Sequence, residues 1–197
     1  MHKPSQTRKG SSNLLRIIGG EWRSRRLSFV DAPHLRPTPD RVRETLFNWL
    51  QGRLAGARCL DLFAGSGALG FEALSRGAMQ VVMIEKHTAA ANALRQNIQL
   101  LQATGAQLVN DDALRYLQRE TQGFDLIFLD PPFRQDFLPK VLNLINARGL
   151  LKAEGLIYLE QEAEAQLDLG QFGLTIYRQT KAGQVQSLLL SAVEPSV

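Results

Sequence analysis

The chain has 197 residues, of which 44% are apolar, and it carries 23 Lys/Arg against 19 Asp/Glu. This length is typical of one domain with its own core. No apolar run approaches the ~18 residues of a membrane span, and the polar, basic N-terminus lacks the apolar segment of a secretory signal. The single cysteine, Cys59, cannot form an intrachain disulfide. These features predict a cytoplasmic protein without membrane contact, and we expect a monomer.

Basic residues are concentrated towards the N-terminus. Residues 1–60 contain 12 Lys/Arg and four Asp/Glu, whereas residues 61–197 contain 11 and 15. Such one-sided charge favours a nucleic acid partner over a merely solvated tail. The residues expected to contact phosphates are Arg8, Lys9, Arg16, Arg23, Arg25 and Arg26.

The N-terminal part is predicted to be an extension of the main domain. Residues 1–13 are polar and basic, which predicts a disordered tail. Residues 14–55 predict a hairpin followed by a helix that begins near Thr38-Pro39-Asp40. Thr38 or Asp40 can cap this helix, and Pro39 suits its first turn. The apolar residues expected on one helix face are Val42, Leu46, Phe47 and Leu50.

Residues 56–193 alternate between strand and helix patterns, which predicts one doubly wound, mostly parallel sheet. The predicted parallel strands are Arg58–Phe63, Gln80–Ile84, Gln107–Val109, Phe124–Leu129 and Leu156–Glu160. The predicted helices are Ala68–Arg76, Thr88–Gln102, Ala113–Thr121 and Gln135–Ala147. An antiparallel hairpin, Leu174–Gln179 and Gln184–Ser191, is expected to complete a seven-stranded sheet.

A glycine-rich loop follows the first strand of this sheet. Gly65, Gly67 and Gly70 match G-x-G-x-x-G, and Glu85 lies 20 residues after Gly65, where a ribose-binding acid is expected. By pattern alone this loop could serve an NAD enzyme. Asp61, however, places a carboxylate where a pyrophosphate would approach, which is unfavourable.

S-adenosylmethionine suits this loop better, since it lacks phosphates and carries a sulfonium and an ammonium group. The predicted contacts are Asp61, Phe63, Gly65, Gly67, Glu85, Asp112 and Ala113. Glu85 would accept hydrogen bonds from the ribose hydroxyls. Asp112-Ala113, after the third strand, is expected at the adenine. Helix capping by Asp112 is equally well supported and does not exclude that contact.

The segment Asp130-Pro131-Pro132-Phe133 follows the fourth strand. A carboxylate accepts hydrogen bonds, two prolines leave their carbonyls free, and a phenyl ring offers a flat apolar face. This combination suits a planar ring that bears an exocyclic amino group. The alternative interpretation of these residues alone is a proline-rich turn.

The order of these motifs along the chain resembles the class I S-adenosylmethionine-dependent methyltransferases, whose fold is Rossmann-like, and within them the branch that modifies exocyclic amino groups. Two further segments, RIIGGxWR at residues 16–23 and RPTxDRVRExLFNxL at residues 36–50, narrow the match. They closely resemble the RsmD family of bacterial 16S rRNA guanine-N2 methyltransferases, and residues 181–185 also look like theirs.

This resemblance implies methyl transfer to N2 of guanine 966 in the assembled or assembling small ribosomal subunit, without a metal. Asp130 and the Pro131 carbonyl would orient the amino group, and Phe133 would stack on the base. Residues 14–55 would be an RNA-binding extension and residues 56–193 the methyltransferase domain.

Several other functions remain open on the residues alone. Adenine-N6 methyltransferases share the Asp-Pro-Pro-aromatic motif, although the N-terminal segments favour guanine. A protein-glutamine methyltransferase is disfavoured, since its pocket usually has Asn-Pro-Pro-Tyr. An NAD oxidoreductase and a non-catalytic RNA-binding module are further alternatives. Intact Asp61 and Asp130 count against the second of these.

Overall fold

The structure, a computed structural model, describes residues 13–30, 38–131, 137–165 and 167–193. A short hairpin precedes the main sheet. Strand β1 (Leu14–Arg16) pairs antiparallel with β2 (Arg26–Ser28), and the facing Leu15 and Leu27 are buried. The hairpin predicted near the N-terminus is therefore confirmed.

The main sheet contains the seven strands that the sequence predicts. They are β3 (Arg58–Asp61), β4 (Gln80–Ile84), β5 (Ala106–Val109), β6 (Phe124–Leu129), β7 (Leu151–Glu162), β8 (Leu174–Ala182) and β9 (Val185–Ala192). Their spatial order is β5-β4-β3-β6-β7-β9-β8. The first five pair in parallel and the last two antiparallel. The hairpin turn lies at Gly183-Gln184, later than the predicted Thr180–Gly183, because Thr180 and Lys181 still pair with β9.

Five helices cover both faces of this sheet within the described ranges. They are α1 (Asp40–Trp49), α2 (Ala68–Ser75), α3 (Thr88–Leu101), α4 (Ala113–Arg119) and α5 (Phe137–Ala147). Side chains of α1, α2 and α3 share one buried cluster with Cys59 and Val81, whereas α4 and α5 share another with Leu60 and Val82. Successive strand residues point to opposite faces, so each strand contributes to both clusters.

The predicted capping of α1 is wrong. Pro39 is the N-cap, and no side chain caps the helix. The Thr38 hydroxyl instead donates to Asp130, and the Asp40 carboxylate accepts from Arg16 and Arg43. Both candidate capping side chains therefore bond to other side chains and not to the N–H groups at the start of α1. The buried face of α1 also differs, since Arg43 is 0% exposed while Val42 is only half-buried.

Among the described residues, none of the helices combines the length and apolar character that crossing a membrane requires.

Candidate active site at the carboxyl ends of the strands

The predicted motifs all follow the carboxyl ends of parallel strands. Asp61 ends β3 and is in register with Met83 of β4 and Phe128 of β6. Glu85 follows β4 directly, and Asp130 follows β6. Strands β4 and β5 lie on one side of β3, whereas β6 and β7 lie on the other, so the strand order reverses at β3. A reversal of this kind opens a crevice where ligands bind in such sheets.

The loop between β3 and α2 needs glycine at two positions. Gly65 and Gly67 have φ angles of 52° and 79°, in the left-handed region that glycine adopts readily. A Cβ atom on Gly67 would also lie 2.5 Å from the Phe71 ring. Glycine therefore permits both the backbone turn and the close packing of α2 beneath it.

The N–H groups of all three motif glycines already have partners within the protein. Gly65 donates to Glu85 Oε2 at 2.9 Å, Gly70 donates to Asp61 Oδ2 at 3.0 Å, and Gly67 donates to the Ala64 carbonyl at 2.6 Å. The loop is therefore braced by two carboxylates. In phosphate-binding loops such N–H groups face the ligand instead.

Asp61 lies beneath this loop and is 3% exposed. Burial raises its pKa to about 7, and the Glu85 carboxylate adds to the shift, while the N–H groups of Gly70 and Phe63 oppose it. Glu85 is also buried and accepts a second N–H, from His87, at 2.6 Å. Each carboxylate oxygen has two lone pairs, so Glu85 can still accept from a ligand.

Asp112 caps α4, as one of the two interpretations of the sequence predicted. Its Oδ1 accepts the N–H groups of Leu114 and Arg115 at 3.0 and 3.3 Å. Lys86 Nζ lies 3.5 Å from the other oxygen. Ala113, the first residue of α4, is buried.

Two apolar groups lie at the same edge. The half-buried Phe63 ring makes an edge contact with Phe137 at 6.2 Å between centroids, and Pro131 is buried. Phe133, the predicted stacking residue, lies outside the described residues. Its role remains a prediction.

Asp130 is half-buried and accepts a hydrogen bond from the Thr38 hydroxyl at 3.3 Å. Burial raises the pKa of its carboxyl well above the ordinary value, and the carboxylates of Glu160 and Asp61 raise it further. The sequence alone suggested a carboxylate that is only an acceptor at neutral pH. The surrounding acids make the proton harder to remove.

Glu160 is a residue of this edge that sequence reasoning missed. It is 6% exposed and accepts the Tyr158 hydroxyl at 2.6 Å. Leu129 is in register with Leu159, so the residues that follow them, Asp130 and Glu160, lie side by side. Burial raises the pKa of Glu160 as well. The sequence did contain a signal for this residue, since Glu160 is an acid at the end of the fifth predicted strand.

Four of the predicted RNA-binding residues lie on the N-terminal hairpin. Arg16, Arg23, Arg25 and Arg26 are all exposed. Arg16 differs from the other three because its guanidinium pairs with Asp40 at 3.0 Å. The remaining two, Arg8 and Lys9, lie outside the described residues.

Known proteins resemble this chain in sequence over most of its length. A family model described as "Conserved hypothetical protein 95" matches residues 15–191. The chain is 45% identical over 185 residues to ribosomal RNA small subunit methyltransferase D of Escherichia coli K12, covering 94% of this chain and 92% of that protein. The protein of the same name from Haemophilus influenzae is 43% identical over 157 residues, covering 78% and 81%.

A solved structure also shows the same fold. That of the candidate methyltransferase yhhF of Escherichia coli superposes with a TM-score of 0.82 at 44% identity, covering 91% of this chain and 98% of that one. Together with the strand order, this likeness confirms the expected class I methyltransferase fold. The chain therefore belongs to the family of the small subunit methyltransferase D proteins, the RsmD family that its N-terminal segments had indicated.

Proposed function

We propose that this chain transfers a methyl group from S-adenosylmethionine to N2 of guanine 966 in 16S rRNA. The main support is that two features lie at one edge of the sheet. One is a glycine loop held by two acidic side chains, and the other is Asp130-Pro131. The names of the relatives, which state small subunit rRNA methylation, support the substrate.

The charges around the glycine loop favour this donor over a dinucleotide. Asp61 and Glu85 each accept an N–H group of the glycine motif, and both are buried. Phosphates would meet two carboxylates at close range and would find the N–H groups of all three motif glycines engaged. A ligand with an ammonium and a sulfonium group is attracted by Glu85 and favours the ionised form of Asp61, whose pKa burial raises to about 7.

The residues present fit the donor by their chemistry. Glu85 retains acceptor capacity for the two ribose hydroxyls. The Asp112-Ala113 turn and Phe63 would meet the adenine, while Gly65 and Gly67 let the backbone approach the rest of the molecule. When bound, S-adenosylmethionine supplies an electrophilic methyl group.

The protein's task at the other substrate is to orient a poor nucleophile. The lone pair of a guanine amino group is delocalised into the ring. Asp130 and the Pro131 carbonyl would accept hydrogen bonds from this amino group, hold it in line and stabilise the positive charge that develops on nitrogen. The raised pKa of Asp130 also suits it to take up the proton that the amino group loses.

The N-terminal hairpin would position the RNA. Its exposed Arg23, Arg25 and Arg26 can contact phosphates. A base within an A-form helix is inaccessible to such a site, so a loop or a flipped-out guanine is the expected target. The small ribosomal subunit, assembled or assembling, is the proposed context.

Mapping of modified nucleotides tests this function directly. Small-subunit rRNA from cells lacking the protein should lose N2-methylguanine at position 966, and the parent gene should restore it, whereas a gene encoding Asp130→Ala should not. Loss of N6-methyladenine instead would identify the adenine alternative. An unchanged modification map would contradict the proposal.

We expect Glu85→Ala to weaken binding of S-adenosylhomocysteine by about 1.5–3 kcal/mol, since a charge-assisted hydrogen bond to the ribose is lost. Isothermal titration calorimetry measures this change. Because Glu85 also holds Gly65 and His87, Glu85→Gln should be measured alongside it, as the amide oxygen can still accept from one N–H. Glu44→Gln, on the exposed face of α1, is the matched control. Equal affinities in all variants would remove Glu85 from the ribose role.

A further inference from the structure

Thr38 connects the N-terminal extension to the candidate catalytic carboxylate. The residue is 6% exposed, and its hydroxyl donates to Asp130 Oδ2 at 3.3 Å. The two residues are 92 positions apart in the chain. Thr38 immediately precedes the N-cap of α1, whereas Asp130 follows the last residue of β6.

Arg43 holds Thr38 in place. This side chain is 0% exposed, and its Nε donates to the Thr38 carbonyl at 3.2 Å. Its Nη2 donates to the Arg16 carbonyl at 3.0 Å and to Asp40 Oδ1 at 2.6 Å. A buried guanidinium with these directed contacts is far more restricted than a solvated one.

The same guanidinium is tied to α2 and to the hairpin. Arg43 Nη1 lies 3.6 Å from Glu72 Oε2, and Glu72 is also fully buried. Glu72 accepts the N–H groups of Ile18 and Gly19, both at 2.8 Å. The backbone that follows β1 is therefore linked through Glu72, Arg43 and Thr38 to Asp130.

We propose that Thr38 is a positioning residue for Asp130, and that Arg43 fixes Thr38 to the hairpin that bears the RNA-binding arginines. This inference rests on the proposed methyl transfer, since it assigns to Asp130 the guanine amino group. Thr38 would orient one carboxylate oxygen and leave the other for the base. Binding of RNA to the hairpin would then be linked to the orientation of the Asp130 carboxylate.

The charges that face Asp130 favour a donor at this position. Glu160 of β7 and Asp61 of β3 both raise its pKa, whereas the hydrogen bond from Thr38 lowers it. The hydroxyl thus helps keep Asp130 ionised among other acids. Removing it should shift the acidic limb of the rate profile to higher pH. A purely structural role in packing α1 would not move that limb.

Thr38→Val tests the inference because it removes the hydroxyl and keeps the shape of the side chain. We expect single-turnover methylation of small subunits to fall about tenfold, the loss typical of one hydrogen bond to a charged group. Affinity for S-adenosylhomocysteine and for the subunit should stay within about twofold of the parent values. Thr38→Ser should restore the rate.

Thr45→Val is the matched control. Thr45 lies on the same helix, and its hydroxyl donates to the Arg41 carbonyl at 3.0 Å, away from Asp130. The same substitution there should leave both the rate and its pH profile unchanged. Thermal unfolding of all three variants shows whether α1 remains folded.

A measurement without substrate separates this inference from the proposed function. Titration of the Asp130 carboxyl carbon by NMR should show a higher pKa in Thr38→Val than in the parent, and no change in Thr45→Val. Equal titrations and equal rates would overturn the positioning role. If the parent transfers no methyl group to small-subunit rRNA, the proposed function and the catalytic part of the inference both fall. The NMR titration still decides the contact between Thr38 and Asp130.

Discussion

Replacing Asp130 with alanine should reduce single-turnover methylation by about 10²-fold or more, as expected when a transition-state hydrogen-bond partner is removed. Affinity for S-adenosylhomocysteine should change little, because Glu85 and Asp112 belong to other loops. Rapid-quench measurements with small subunits, together with calorimetry, separate the two effects.

The pH dependence gives the same experiment a second readout. The pKa of Asp130 is raised by burial and by Glu160. The proposed reaction would require the ionised form. The parent rate should therefore rise as pH increases through this raised pKa. In Asp130→Ala that limb should be absent, and the residual rate should depend less on pH.

Asp125→Asn is a suitable control on the same strand. Asp125 lies at the opposite end of β6, where its carboxylate accepts from the Arg58 N–H and from Lys152, both at 2.8 Å. This variant loses an acid from β6 but none from the candidate site. Near-parental turnover in Asp130→Ala, or an equal loss in Asp125→Asn, would contradict the proposed role.

Replacing Arg23, Arg25 and Arg26 together with alanine should weaken binding of small subunits and flatten its salt dependence. Each phosphate contact that is lost should reduce the slope of log affinity against log salt concentration by about 0.7–0.9, because fewer counterions are released on binding. Filter binding across a salt series measures the slope. Binding of S-adenosylmethionine should be spared, since its proposed site lies at the strand ends.

A triple substitution of Arg95, Arg148 and Arg178 changes the net charge by the same amount. These arginines are exposed on α3, after α5 and on β8, and none of them belongs to the hairpin. A general charge effect would weaken binding equally in both triple variants. An unaltered affinity and slope in the hairpin variant would show that its three arginines are only a solvated surface.

Much of the architecture could be predicted from local patterns. Apolar runs after residue 57 alternate with helical periodicity, and this alternation specifies a parallel sheet. In a parallel sheet the residues that follow each strand meet at one edge. Asp61, Glu85 and Asp130 could therefore be assigned to one site before any contact was known.

Predictions from local sequence patterns were wrong for side chains whose partners are distant in the chain. Thr38 and Asp40 have the composition of helix caps, yet Asp130, Arg16 and Arg43 take their hydrogen bonds. Arg43 is one of the 12 Lys/Arg of residues 1–60, yet its side chain is buried, with partners on the hairpin and on α2. Asp130 lies 92 residues from Thr38, and Arg16 lies 24 residues from Asp40, so neither of these two partners falls within a local window.

Local sequence patterns therefore specify the order of the motifs along the chain, the acidic residues around the glycine loop and the basic character of the hairpin. The environment of Asp130, with Glu160 beside it and Thr38 donating to it, depends on contacts between elements that are distant in the chain. The periodicity of apolar residues indicates only which face of a helix or strand is buried. The pKa and the orientation of a buried carboxylate depend on groups that the fold brings from three different elements.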